Sequence, residues 1–214
     1  TYDYCSPEQL GEQVESEFKT LLDHLFPKDK VEDPAVHERQ KLQAFLDDKS
    51  ENYIPNKAYI SYLDKFLNDT TNQHLVITGE SGMGKSALLA YWLKNIMEDG
   101  RWNVVAHFSA NSSQSLDTTD IAKHITTQID SLYGLEQMEE NDRQIEHNAT
   151  DTDNIDYQKL ALRAQLIAGQ NPLLIVLDGA NQLSDRNYKT KLLNWLPDFP
   201  DNVKIIFSTI EEDK

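Results

Sequence analysis

One short segment of the chain carries the residue types and the spacing that binding a polyphosphate requires. It matches the pattern G-x-x-x-x-G-K-S/T at every fixed position, and Ala87 follows it. Its residues are Gly79, Glu80, Ser81, Gly82, Met83, Gly84, Lys85 and Ser86. Glycines let backbone N–H groups approach phosphate closely, and a helix that begins here adds its positive N-terminal end. We expect Lys85 to contact the terminal phosphates of a nucleotide and Ser86 to bind Mg²⁺.

A carboxylate at the end of an apolar run is the second candidate for metal chemistry. The run Leu173 to Leu177 is typical of a strand buried on both faces of a parallel sheet, and Asp178 follows it directly. Parallel sheets bind ligands at the carboxyl ends of their strands, so we expect Asp178 to hold Mg²⁺ and to be a catalytic residue. The alternative is a simple turn, since Asp178-Gly179 is a common turn dipeptide.

Strands and helices alternate along most of the chain. Short apolar strands are predicted at 74–78, 104–108, 173–177 and 203–207. This order predicts an α/β fold, a P-loop NTPase of three layers (α/β/α) with a mainly parallel sheet and right-handed crossovers. The strand around Val105 lies between the strand before the phosphate motif and the strand before Asp178, as expected for NTPases that insert a strand between these two elements.

The segments around these strands define the predicted domains. Residues 1–50 are assigned to a helical linker or the end of a preceding N-terminal domain, and 51–214 to a nucleotide-binding domain that is truncated at its C-terminus. Proline-containing start signals predict helices that begin near Pro7, near Pro34 and after Pro55. A later helix is predicted to carry Leu192, Leu193 and Leu196. The acidic stretch 134–153 is predicted to be a solvated loop.

The composition limits the classes of partner. The 214 residues include 36 Asp and Glu against 20 Lys and Arg, a formal charge of −16, which repels nucleic acid and anionic lipid. Cys5 is the only cysteine, which excludes an internal disulfide framework and fits a reducing compartment. No apolar run approaches the roughly 18 residues of a membrane span. We therefore expect a cytoplasmic protein that binds neither membrane nor nucleic acid.

Taken together, the motifs resemble the STAND class of signalling ATPases, and within it NACHT-like domains of the nephrocystin-3 kind. The segments that carry the resemblance are 76–90, 175–183, and 194–197 followed by 203–209. His107-Phe108-Ser109 and Ser115 also look like the second-strand region of that group. The resemblance extends over about residues 53–210.

The resemblance implies a molecular switch in which ADP holds a closed form and exchange for ATP releases an oligomerising form. Its cofactors would be ATP or ADP with Mg²⁺, and its partners would be other proteins and, in the full-length protein, further copies of itself. The segment Tyr53 to Lys57 aligns with the stretch that lines the adenine pocket in relatives, so Ile54 is expected to contact the base. The alternative is a loop-to-helix cap with Asn56 as the N-cap.

One departure from the family pattern concerns hydrolysis. Asn181 and Gln182 stand where many relatives carry an acidic pair, and an amide can orient water but cannot accept its proton. Thr209 or Ser208 matches the position that would sense the γ-phosphate, so the expected catalytic set is Asp178, Asn181, Gln182 and Thr209.

Three functions remain open from the sequence. The first is a slow, switch-type ATPase, and the alternative is a scaffold that binds nucleotide without hydrolysing it and acts through protein contacts. A metabolic kinase is disfavoured, because the inserted strand does not suit it and no lid with clustered arginines is evident.

Overall fold

The computed structural model describes residues 11, 14–21, 34–109, 116–148, 155–183 and 195–210. The chain divides into two compact units, Thr1–Arg39 and Gln40–Lys214. In the first unit, residues 11 and 14–21 are helical, as predicted, and the other residues of that predicted N-terminal helix lie outside the described part of the chain.

Helices and strands alternate from residue 34 onwards. In chain order they are α1 (Pro34–Ser50), α2 (Lys57–Asn68), β1 (His74–Thr78), α3 (Lys85–Asp99), β2 (Asn103–Phe108), α4 (Thr118–Tyr133), α5 (Glu139–Asn148), α6 (Ile155–Leu166), β3 (Leu173–Asp178), a 3-10 turn (Ala180–Gln182) and β4 (Val203–Thr209). The predicted α/β class and its parallel sheet are confirmed, since every strand pair in this sheet is parallel. None of the described helices is both long and apolar enough to cross a membrane.

The order of strands in the sheet corrects one expectation. The four described strands are arranged β1-β4-β3-β2, so the strand inserted between β1 and β3 is β4, whereas β2, which contains Val105, lies at the far edge. Burial explains this arrangement. Six of the seven residues of β4 are buried, which suits a central strand, while β1 alternates between exposed and half-buried residues. Chain order does not determine this placement, because each crossover is long enough to pass over a neighbouring strand.

Helices cover the sheet on two faces. On the face that we call the α3 face, residues of α1, α2 and α3 pack against Leu174, Val176 and Ile206. On the face that we call the α4 face, residues of α4 and Leu160 of α6 pack against Ile175 and Phe207. Successive side chains of a strand point to opposite faces. The residues that follow Leu177 and Phe207, Asp178 and Ser208, are therefore directed to the α3 face.

The part of the acidic stretch that the structure describes, 134–148, is not the loop that its composition predicts, and residues 149–153 lie outside the described residues. Residues 139–148 form the helix α5, and Asp142 of this helix accepts a hydrogen bond of 2.7 Å from Nη1 of Arg163 on α6. The Arg163 side chain is only 1% exposed, and its Nε also donates to Asp130 on α4 at 2.7 Å. This ion-pair cluster joins three helices, and such a tertiary contact does not appear in the composition of the stretch itself.

A third correction concerns the helix predicted over Leu192, Leu193 and Leu196. Trp195 lies in a turn and Leu196 in a bend, and the other two residues lie outside the described part of the chain. Trp195 is buried, and its ring lies 5.8 Å from that of Tyr157 on α6. The apolar residues at 195 and 196 therefore pack against the α4 face from a turn and not from a helix.

Arg163→Met is expected to lower the free energy of unfolding by about 3 kcal/mol, because it leaves two partly buried carboxylates without their cation. The matched control is Lys159→Met, which breaks another ion pair between α5 and α6. Its partner Glu146 is half-exposed, so we expect a loss below about 1 kcal/mol. Urea denaturation at neutral pH measures both losses, and equal losses would contradict the structural role given to Arg163.

Candidate functional site

The phosphate-binding motif forms the turn between β1 and α3. Helix α3 begins at Lys85, and its N-cap residue Gly84 has φ +84°, a left-handed conformation that glycine adopts without strain. The Lys85 ammonium lies inside the turn, where Nζ donates to the carbonyl oxygens of Gly79 at 2.7 Å and Glu80 at 2.9 Å. The lysine side chain is thus directed back along the motif, toward the volume that its backbone surrounds. Met83 at the tip of the turn is largely exposed.

The structure brings Ser86 and Asp178 together, although 92 residues separate them. Ser86 Oγ donates a hydrogen bond of 2.6 Å to Asp178 Oδ2. Ser86 is in the first turn of α3, and Asp178 ends β3 on the face that this helix covers. Asp178 as a whole is 3% exposed. Side-chain oxygens from the two sequence motifs therefore converge at one edge of the sheet.

Two further serines surround Asp178. Ser208 Oγ, on β4, donates to Asp178 Oδ1, and the Gly179 N–H donates to the same Ser208 oxygen at 2.9 Å. Ser109, which follows β2, donates from Oγ to the main-chain carbonyl of Asp178, and a second contact joins this hydroxyl to the Gly179 carbonyl at 3.1 Å. The side-chain oxygens and the backbone of Asp178 are thus held by hydroxyl groups from three different elements.

The oxygen atoms of Ser86 and Asp178 are hard donors of the kind that suits Mg²⁺, whereas Zn²⁺ and Cu²⁺ favour nitrogen and sulfur ligands. Among the described residues, no group of three or more His, Cys, Asp or Glu side chains is arranged to hold a metal ion. Mg²⁺ does not need such a group, because it commonly keeps several waters and binds one or two protein oxygens together with substrate phosphates. One hydroxyl and one carboxylate beside a phosphate-binding turn are a donor set of this kind.

Gly179 is required by the close approach of Ser109. It has φ +73°, and a Cβ atom added there would lie 2.5 Å from Ser109 Oγ. We expect Gly179→Ala to lower the free energy of unfolding by about 3 kcal/mol, from left-handed strain and steric overlap together. Gly100→Ala is the matched control, because Gly100 has φ +69° and nothing within 4 Å of the added atom, so that only about 1–2 kcal/mol of strain applies. Thermal and urea unfolding compare the two, and equal losses would exclude the contact with Ser109 as the cause.

The other predicted catalytic residues lie at the same end of the sheet but make fewer contacts. Asn181 and Gln182 are in the 3-10 turn after β3, where Gln182 is exposed and Asn181 is half-buried. Asn181 Oδ1 is buried and has no hydrogen-bond partner among the described residues. Thr209 Oγ1 donates only a long hydrogen bond of 3.4 Å, to the Ile210 carbonyl, whereas its neighbour Ser208 contacts the Asp178 carboxylate.

A cavity of about 340 Å³ opens beside the phosphate-binding turn. Gly79, Gly84 and Lys85 line one side of it, and Tyr53, Tyr59 and Tyr62 are among the residues that line the rest. Ile54 is 89% exposed and is not among the lining residues, so the structure does not bring it to this site.

The motifs do not predict a role for the two tyrosines of α2 that line the cavity. Tyr59 and Tyr62 are three residues apart, a spacing that places both on one face of a helix. Both side chains are largely exposed, although tyrosine is a large and partly apolar residue. The spacing of the two tyrosines on a predicted helix before β1 is the signal that the sequence contains, and their exposure is visible only in the structure.

Comparison with known proteins identifies the family of this chain. A family model described as nephrocystin 3, N-terminal, matches residues 56–209. A TPR repeat-containing protein of Dictyostelium discoideum is 22% identical over 267 aligned residues, which cover 98% of this chain and 16% of that protein. The chain therefore spans a small part of the length of this relative. Since the family match includes the phosphate-binding motif, Asp178 and all four described strands, the chain belongs to the nephrocystin 3 N-terminal family.

Proposed function

We propose that this chain binds ATP and ADP with Mg²⁺ and acts as the nucleotide-dependent switch of a STAND-class, NACHT-like signalling protein. The observation that carries the proposal is the 2.6 Å contact between Ser86 of the phosphate motif and Asp178 of β3. Such a contact is what a metal site shared between a P-loop and the neighbouring acidic strand requires.

The topology supports the P-loop NTPase part of the proposal. A strand lies between the one that leads into the phosphate motif and the one that ends in Asp178, and helices cover both faces of the sheet. This is the arrangement of NTPases that insert a strand between these two elements. The inserted strand is β4, and its carboxyl end brings Ser208 to Asp178.

The cavity supports a nucleotide with a planar base. Ligand cavities of about 300–1000 Å³ are typical of small-molecule sites, and this one joins the lysine of the turn to a group of tyrosines. A base stacked on an aromatic side chain gains roughly 1–3 kcal/mol. In this proposal the tyrosines take the role that Ile54 was expected to have.

A single experiment tests nucleotide binding directly. The purified chain is denatured, and any nucleotide that it releases is identified by chromatography. The emptied and refolded chain is then titrated by calorimetry with ADP, ATP and GTP in Mg²⁺. We expect adenine nucleotides to be released or bound and GTP to bind less tightly, whereas no heat and no released nucleotide would overturn the proposal.

The alternative function is a scaffold that binds nucleotide without hydrolysing it. It is favoured by the amide groups of Asn181 and Gln182 after the Asp178 strand, because neither of these two side chains can act as a general base. The name of the Dictyostelium relative includes TPR repeats, and we propose that protein partners bind elsewhere in the whole protein. Nucleotide-dependent self-assembly would be measured on the full-length protein by sedimentation in ADP and in a non-hydrolysable ATP analogue.

A further inference from the structure

Strand β4 ends in two residues with hydroxyl groups, Ser208 and Thr209, and their side chains are directed to opposite faces of the sheet. Ile206 packs on the α3 face and Phe207 on the α4 face, so the alternation along the strand directs Ser208 to the α3 face and Thr209 away from it. Ser208 is 1% exposed and is in register with Ile77 of β1 on one side, while β3 lies on the other. It therefore lies between the strand that leads into the phosphate motif and the strand that carries Asp178.

The direction of each hydrogen bond at Ser208 is determined by its neighbours. The Gly179 N–H can only donate, so Ser208 Oγ accepts from it at 2.9 Å. The single hydroxyl hydrogen of Ser208 is then left for Asp178 Oδ1. Ser86 donates to the other carboxylate oxygen, Oδ2, at 2.6 Å. Asp178 thus has one oxygen held by β4 and the other directed to the phosphate motif.

We infer that Ser208 is a positioning residue that holds the Asp178 carboxylate in the orientation which binds Mg²⁺, and that Thr209 does not share this role. The inference rests on the proposed function. Without the Ser208 hydroxyl, the carboxylate loses the contact that fixes its rotation, and the Gly179 N–H loses its partner. We expect the phosphate cradle made by the motif itself to stay intact, since the Lys85 ammonium is held by the carbonyl oxygens of Gly79 and Glu80 and not by Ser208.

The test compares nucleotide affinity with and without Mg²⁺. A fluorescent, non-hydrolysable ATP analogue is titrated in Mg²⁺ and in EDTA, and the ratio of the two dissociation constants measures how much Mg²⁺ improves binding. For Ser208→Ala we expect this ratio to fall about tenfold, the effect of losing one hydrogen bond to a charged group, while the affinity in EDTA changes less than about twofold. A purely structural role would weaken binding equally in both buffers.

Companion variants separate positioning from loss of stability. Thr209→Val removes the adjacent hydroxyl at nearly constant shape. Thr209 belongs to the expected catalytic set, so this variant is not a neutral control for hydrolysis or for affinity, but its Mg²⁺ ratio is expected to fall less than that of Ser208→Ala. Thr126→Val removes a buried hydroxyl of α4, which donates to the Ala122 carbonyl at 2.8 Å, and serves as the control for a buried polar deletion. Ser208→Cys keeps the size of the side chain with a weaker donor, and its ratio decides the matter if the alanine variant does not fold.

The possible outcomes separate the two proposals. A Mg²⁺ ratio that survives in Ser208→Ala, or that falls equally in Thr209→Val, would overturn the inference and leave nucleotide binding standing. An unmodified chain that binds the analogue in neither buffer would overturn the proposed function, and the inference would fall with it. A selective loss in Ser208→Ala and Ser208→Cys would support both.

Discussion

Lys85→Ala is expected to weaken the binding of Mg-ATP at least about a hundredfold and to leave the free energy of unfolding nearly unchanged. The Lys85 ammonium donates to two carbonyl oxygens of its own turn, which places a positive charge inside the predicted phosphate cradle. With a nucleotide bound, the same group would donate to phosphate oxygens. Two charge-assisted hydrogen bonds amount to about 3–6 kcal/mol, and each 1.4 kcal/mol is a factor of ten in affinity.

The matched control for Lys85→Ala is Lys94→Ala on the same helix. Lys94 Nζ lies 2.7 Å from Asp47 Oδ1, at the surface and away from the turn. Lys94→Ala removes the same charge as Lys85→Ala. A general electrostatic effect would therefore weaken nucleotide binding in both variants, whereas loss of direct phosphate contacts would weaken it only in Lys85→Ala. Calorimetry on the folded variants measures the affinities. Undiminished affinity in both Lys85→Ala and Ser86→Ala would contradict the role of the motif.

The sheet could be predicted from sequence because its strands carry their own signal. Leu173 to Leu177 is an apolar run without interruption, and Val203 to Phe207 is apolar except for Lys204. Both segments are buried on two faces of the sheet. The order of the strands could not be predicted, because the position of β4 beside β1 depends on pairings such as Val76 with Phe207. Val76 and Phe207 are 131 residues apart in the chain, and no local pattern in either segment encodes so distant a partner.

Some residues of the candidate site could likewise be predicted from sequence, and others could not. Ser86 and Asp178 each belong to a local motif, and the rule that ligands bind at the carboxyl ends of parallel strands predicts that they meet. Ser208 and Thr209 could not be distinguished from sequence, since the choice depends on which face of β4 is directed to α3. The helix α5 was missed because Arg163, outside the acidic stretch, supplies the partner of Asp142.

The second large effect concerns turnover. We expect the unmodified chain to hydrolyse ATP far below typical enzyme turnover numbers of about 1–1000 s⁻¹, because general-base assistance is worth about 10²–10⁴-fold. The 3-10 turn after β3 carries amides at 181 and 182, and an amide has no site that accepts a proton from attacking water. Binding would be unaffected, so the state of the switch would depend on nucleotide exchange. Single-turnover hydrolysis of radiolabelled ATP measures the rate.

Restoring an acidic pair is expected to raise this rate, and the structure indicates which position contributes more. Gln182 is exposed, so Gln182→Glu introduces a solvated carboxylate close to the end of β3. Asn181 Oδ1 is buried without a partner among the described residues, so Asn181→Asp would place a charge where hydration is poor. We expect a gain of tenfold or more in Gln182→Glu and in the double variant, a smaller gain in Asn181→Asp, and little change in ATP affinity.

The control for added charge is Gln165→Glu, an exposed position on α6, which is expected to leave the rate unchanged. For Asp178→Ala we expect the opposite result, a loss of Mg²⁺-dependent binding and of hydrolysis together. The substitution removes the carboxylate that accepts hydrogen bonds from Ser86 and Ser208. Hydrolysis at tens per second by the unmodified chain would mean that another group supplies the base. If the acidic double variant is no faster than the unmodified chain, water does not lie within reach of 181 or 182, and the roles given to both residues are wrong.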